Sequence, residues 1–203
     1  SRAAWATTPG PVLSGAVEVT ATLDYGTSYI SPVGQNLTNR LFQYVGFMIM
    51  AEQDNTSVTI DLDGPGTNVA SVVVLNRGES HLVNGGVRTG GSVNSTKPVQ
   101  VNLVIGRYAG RYATDWFTLY PTDQWGNSYV TPVGTAANGN QTFNYFYNPN
   151  ATNSTINYLT RVGSGSFSVP AGGVTQYQMP QSSGARFTSV SGANFFALCT
   201  AGA

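Results

Sequence analysis

Tyr25-Gly-Thr-Ser-Tyr-Ile-Ser-Pro-Val-Gly34 recurs as Trp125-Gly-Asn-Ser-Tyr-Val-Thr-Pro-Val-Gly134, with six of ten positions identical and three more conservative. Weaker matches follow in the same order: residues 53–60 resemble 150–158, and residues 90–106 resemble 184–201. Ordered matches with a period near one hundred residues argue for two copies of one module, each large enough to own a core. Extending the match backwards sets Val17-Glu-Val-Thr-Ala-Thr-Leu23 against Thr114-Asp-Trp-Phe-Thr-Leu-Tyr120, so each module begins one strand before the tyrosine motif. The expected division is an arm or linker over 1–15, a first module over 16–110 and a second over 111–203.

Within each copy the pattern is that of strands. Apolar residues alternate over 17–23, 58–62, 99–104 and 143–147, and glycine and proline punctuate them, as in Asp63-Gly-Pro-Gly and Asn84-Gly-Gly. Residues 42–50 are apolar on both faces, which suits a central strand covered on both sides. No stretch keeps a helical period over ten or more residues. The expected fold is all-β, two tandem antiparallel β-sandwich modules related by internal duplication.

Composition bounds the function. The charged fraction is 9%, against roughly 25% in ordinary soluble domains. Nine basic and nine acidic residues cancel, and Lys97 is the only lysine, so no basic stripe exists to neutralise phosphates or an anionic membrane. The longest apolar runs fall far short of the ~20 residues of a spanning helix, so no membrane insertion is expected. The start lacks the basic and long apolar regions of an export signal, which places any such signal outside the chain or already removed. Six Asn-x-Ser/Thr triplets stand at Asn36, Asn55, Asn94, Asn140, Asn150 and Asn153. Glycan on surface loops would supply the solvation that so few charges do not, and it would make the chain extracellular or cell-surface.

Chemistry-bearing residues are sparse. The single histidine, His81, reads as a strand residue, and no nucleophile elbow or His-Glu-x-x-His helix accompanies it. Cys199, the sole cysteine, sits in Phe195-Phe-Ala-Leu-Cys-Thr and reads as a small buried residue without a disulfide or metal partner. Asp54, Asp61 and Asp63 supply carboxylates for a calcium ion held by loop carbonyls, although the spacing of a calcium-binding hand is absent; Asp63-Gly-Pro-Gly reads equally as ordinary turn chemistry. No other cofactor is expected. Trp116, Trp125 and Tyr129 offer a sugar-stacking platform or, alternatively, core anchors. Ala3, Ala4, Trp5 and Ala6, ahead of Pro9-Gly-Pro11, offer an arm that docks onto the edge strand of a neighbouring subunit, against the alternative of a plain tail.

The run Gly90-Gly-Ser-Val-Asn-Ser-Thr-Lys-Pro-Val-Gln-Val-Asn, followed by Trp116-Phe-Thr-Leu-Tyr-Pro-Thr-Asp-Gln-Trp-Gly-Asn-Ser-Tyr, resembles the repeats of the IgGFc-binding protein N-terminal-like domain. In the second copy Ser191-Gly-Ala-Asn stands where Thr96-Lys-Pro-Val stands in the first. The resemblance covers most of 16–203. It implies a β module of secreted or surface proteins, with adhesive or matrix roles and no catalytic residues, and it carries no residues for immunoglobulin binding. The functional expectation is therefore a non-catalytic extracellular structural protein, a subunit of a filament, sheath or layer built by strand pairing or end-to-end packing. Its partner is then a further copy of itself; the alternative is an adhesin module that binds a glycan or protein.

Overall fold

The computed structural model describes residues 20–64, 70–107, 114–132 and 141–201. The chain divides into two compact units between Gln124 and Trp125. The described residues contain fourteen strands and two 3-10 turns, and every named ladder is antiparallel. The all-β expectation holds. The short strands, closed by Gly, Asn and Asp turns, leave no room for a helical period.

The first unit contains β1 (Gly26–Ile30), β2 (Tyr44–Ala51), β3 (Thr56–Asp61), β4 (Ser71–Leu75), β5 (Ser80–Val83), β6 (Ser92–Gly106) and β7 (Thr114–Thr118). It forms one seven-stranded sheet rather than two separate ones. The reason is β6, which at fifteen residues is long enough to serve both halves. Its first half pairs with β1 and β3, and its second half with β2 and β7. Apolar alternation fixes the faces: in β3, Thr56, Val58 and Ile60 are buried while Ser57, Thr59 and Asp61 are not. Strand β2 is buried on both faces along most of its length, and Val45, Phe47 and Ile49 lie opposite Ile105, Leu103 and Val101.

The second unit contains β8 (Ser128–Thr131), β9 (Thr142–Tyr147), β10 (Ser154–Thr160), β11 (Gly163–Val169), β12 (Val174–Gln178), β13 (Ala185–Ser189) and β14 (Phe196–Ala201). Its strands form two sheets, in the orders β11-β10-β13-β8 and β12-β9-β14. Phe146, Ile156, Val169, Met179, Ala185, Phe187 and Phe195 make one core, with Tyr129, Tyr158, Phe167 and Tyr177 packed against it. Phe146 is its hub, with ring centroids 4.5 Å from Phe187, 5.1 Å from Phe167 and 5.9 Å from Phe195.

One expected strand is corrected. The alternation over 17–23 does not continue as a strand to its end: Thr22–Asp24 is a 3-10 turn, with Leu23 fully out in solvent. A matching turn, Thr122–Gln124, lies one hundred residues on. Both precede the tyrosine motif at the same spacing, so the two stretches align without a gap at an offset of one hundred. Residues 17–19 lie outside the described residues.

Candidate functional site

The repeated motif builds a clamp. Tyr29 is 1% exposed, and its hydroxyl accepts the Gly26 N–H at 2.8 Å and donates to the Val99 carbonyl at 2.5 Å. The Tyr129 hydroxyl accepts the Gly126 N–H at 3.1 Å and donates to the Phe195 carbonyl at 2.7 Å. The start of the motif is thereby tied to backbone some seventy residues later, and one hydroxyl satisfies two backbone groups. Downstream, Ser31, Val33 and Gly34 are buried, and the Ser31 Oγ donates to the Val33 carbonyl at 2.5 Å. A Cβ built on Gly34 would stand 2.0 Å from the Thr89 nitrogen, so the chains cross too closely there for any side chain.

Burial also sets the proton chemistry of clamp residue Tyr29 and of Tyr145 on β9. It pushes the Tyr29 and Tyr145 hydroxyls up to about 12, whereas an unfolded tyrosine ionises near 10. Above pH 10 the unfolded chain binds fewer protons than the folded one, so stability is whole below about pH 10 and falls as pH rises towards 12. Denaturant midpoints measured from pH 8 to 12 should drop in that window. A flat profile would mean that these hydroxyls are not held neutral.

The aromatic platform is not formed. Trp125 is 5% exposed, its ring tilted against Phe196 at 5.1 Å and edge-on to Tyr147 at 6.0 Å. Tyr129 spends its hydroxyl in the clamp and packs against Phe195 at 4.9 Å. Trp116 lies half-buried on β7 of the first unit, opposite Val104. Trp125 and Tyr129 are thus packed as anchors of the second unit, while Trp116 belongs to the first.

The calcium set is likewise pulled apart. Asp54 precedes β3 and Asp61 ends it, which separates them by roughly 20 Å at about 3.3 Å per residue. Asp54 accepts the Arg77 N–H at 3.0 Å, and Asp61 accepts the N–H of Asp63 at 3.2 Å, the ordinary bond of an aspartate two residues ahead of a turn. Among the described residues no three of His, Cys, Asp and Glu gather as a metal site. Asp54 instead belongs to a shallow depression lined by Glu52, Gln53, Asn55, Arg77 and Lys97. Lys97 Nζ donates to the Asp54 carbonyl at 2.5 Å, and Asn55 N–H to Asn76 Oδ1 at 3.1 Å. Those bonds run through backbone groups: the Arg77 N–H, the Asp54 carbonyl and the Asn55 N–H.

His81 lies half-buried on β5 opposite Ile49. Cys199 is corrected: it is exposed on β14, because the alternation buries Leu198 and Thr200 on the other face, while its neighbours still raise the thiol pKa by desolvation. Of the sequon asparagines, Asn36, Asn55, Asn94 and Asn153 are exposed. Asn150 is half-buried, its Nδ2 donating to Asn148 Oδ1 at 2.7 Å and to the Asn194 carbonyl at 3.2 Å. Asn140 and the arm residues Ala3, Ala4, Trp5 and Ala6 lie outside the described residues.

Two features carry no local motif. Asn148 is fully buried and donates through Nδ2 to the carbonyls of Thr152, Val169 and Pro170; Asn148-Pro-Asn150 was its only sequence signal. Across the outer face of the four-stranded sheet, Leu159, Arg186 and Val130 stand in one row, with Leu159 61% and Val130 73% exposed.

No helix among the described residues is long and apolar enough to cross a membrane. No curated protein and no solved structure matches the chain. A family model described as IgGFc binding protein matches residues 17–202. With that match over nearly all of its length, this chain belongs to the IgGFc-binding protein family.

Proposed function

We propose that the chain is a non-catalytic extracellular structural protein, two duplicated β modules whose copies are joined by strand pairing into a filament, sheath or layer. The observation that carries this reading is β7. By sequence it opens the second copy, yet it is hydrogen-bonded into the first unit's sheet along residues 102–106 of β6. Handing the first strand of one module to the sheet of the module before it is the act from which a strand-paired array is built.

Duplication is supported by more than the motif. Both units run the same pairing order: β4-β3-β6-β1 matches β11-β10-β13-β8, and β5-β2-β6 matches β12-β9-β14. Strand β6 corresponds to β13 and β14 together. From Val93, opposite Tyr29, to Val99 is six residues, whereas from Phe187, opposite Tyr129, to Phe195 is eight. The two additional residues fall between Phe187 and Phe195, around Ser191-Gly-Ala-Asn, and there the long strand is broken. On this reading the first copy spans 16–110, the second 111–203, and residues 1–15 form the connecting arm. The exposed sequons Asn36, Asn55, Asn94 and Asn153 carry glycan. Intact mass of the secreted protein tests that last point, and a mass equal to the bare chain would dismiss it.

Zero net charge favours association. Sedimentation velocity over rising concentration of the full chain should show a series of growing species. A single monomer boundary throughout would remove the assembly reading. The second reading is a module that binds a protein ligand, favoured by the exposed Leu159, Arg186 and Val130 row and by the family's description. It predicts a monomer that retains immunoglobulin Fc fragment on a sensor surface, with retention lost in a Leu159→Ser, Val130→Ser double variant.

A further inference from the structure

The two units differ at one ladder position. In the first, the second half of β6 has β2 on one side and β7 on the other. In the second, β14 pairs with β9, and among the described residues no strand pairs with its other edge. The clamp sets the correspondence: the hydroxyls of Tyr29 and Tyr129 end on the carbonyls of Val99 and Phe195. Counting four residues on from each gives Leu103 and Cys199. The ladders agree, since Leu103 faces Phe47 on β2 and Cys199 faces Asn144 on β9, the corresponding strand. Leu103, beside β7, is fully buried, and Cys199 is exposed. Next to Cys199, the Asn144 Nδ2 is buried with no hydrogen-bond partner among the described residues.

We propose that β14 is an acceptor edge, completed by residues 14–18 of a second copy of this chain. This rests on the strand-paired reading above and goes further by naming both strands and their register. The donor is fixed by the turns: Thr22–Asp24 and Thr122–Gln124 lie one hundred residues apart, as do Tyr25 and Trp125, so β7 corresponds to 14–18 and Phe117 to Val17. The β6 edge already holds β7. Residues 14–18 thus stand to the first module as β7 stands to the second, and the open β14 edge stands to the second unit as the β7-bearing edge of β6 stands to the first. An open edge presents a row of backbone donors and acceptors that a strand of another molecule satisfies without any new side-chain chemistry. Donor and acceptor are different surfaces, so the contact is heterologous and repeats head to tail into a filament or a ring.

The register gives the test. Leu103 stands opposite Phe117, so Cys199 stands opposite Val17 of the neighbouring molecule. Directly opposed residues of an antiparallel pair have Cα atoms about 4.5–5.5 Å apart, inside the range a disulfide needs. The full-length Val17→Cys variant, mildly oxidised, should give a ladder of covalent dimers, trimers and longer species, with mass spectrometry joining position 17 to Cys199. Glu18→Cys, on the opposite face, should cross-link many-fold less, and Val17→Cys with Cys199→Ser should lose the 17–199 ladder altogether. Oligomers by sedimentation without a preferred 17–199 link would overturn this edge and register while leaving strand-paired assembly standing. A 17–199 link confined to single molecules would overturn the second copy as donor. A chain that stays monomeric without any link would remove both.

Discussion

Phe146→Ala is expected to cost about 3–5 kcal/mol of stability, the range for removing a large aromatic from a packed core. Phe146 is fully buried at the centre of the second unit's core, its ring touching those of Phe167, Phe187 and Phe195, whose own positions come from three different strands or loops. The void would not be closed by neighbours, because each of those rings is already braced: Phe167 and Phe187 by Tyr177, and Phe195 by Tyr129. Urea unfolding followed by aromatic fluorescence should show the loss in the transition that reports the second unit. A cost under about 1 kcal/mol would mean that the cluster is not the centre of that core.

Tyr29→Ala is expected to cost a similar 3–5 kcal/mol, since it removes a buried ring together with both clamp bonds. Tyr29→Phe dissects the effect. It keeps the ring but strands the Gly26 N–H and the Val99 carbonyl, at about 1–3 kcal/mol. Tyr129→Phe should fall in the same range in the second unit, because its hydroxyl serves the equivalent pair. Thermal or urea unfolding checks all three variants. A neutral Tyr29→Phe would show that the hydroxyl contributes nothing and that the motif is kept for packing alone.

These residues also show what could be read from the chain. The apolar run 42–50 declared a strand covered on both faces, and the alternation at 58–62 separated buried from outward residues correctly, because both are local consequences of period two. The repeat was visible as a repeat. Its meaning was not, since each clamp depends on a carbonyl some seventy residues away. Trp125 looked as available for stacking as for packing until its neighbours on β9 and β14 were in place. Asp54 and Asp61 are close in sequence, and strand β3, which Asp54 precedes and Asp61 ends, sets them at its opposite ends. Cys199 looked buried from its apolar neighbours, but alternation turned it outward. The pairing of β7 with β6 was the least legible of all, because which strand fills an edge is decided by long-range register rather than by composition.

Copies of this chain joined by strand pairing would form an ordered array. Negative-stain electron microscopy of the purified full chain at neutral pH tests for it most directly. The account predicts filaments or closed rings with a regular subunit repeat, lengthening with concentration. Uniform single particles of one chain at every concentration would contradict it.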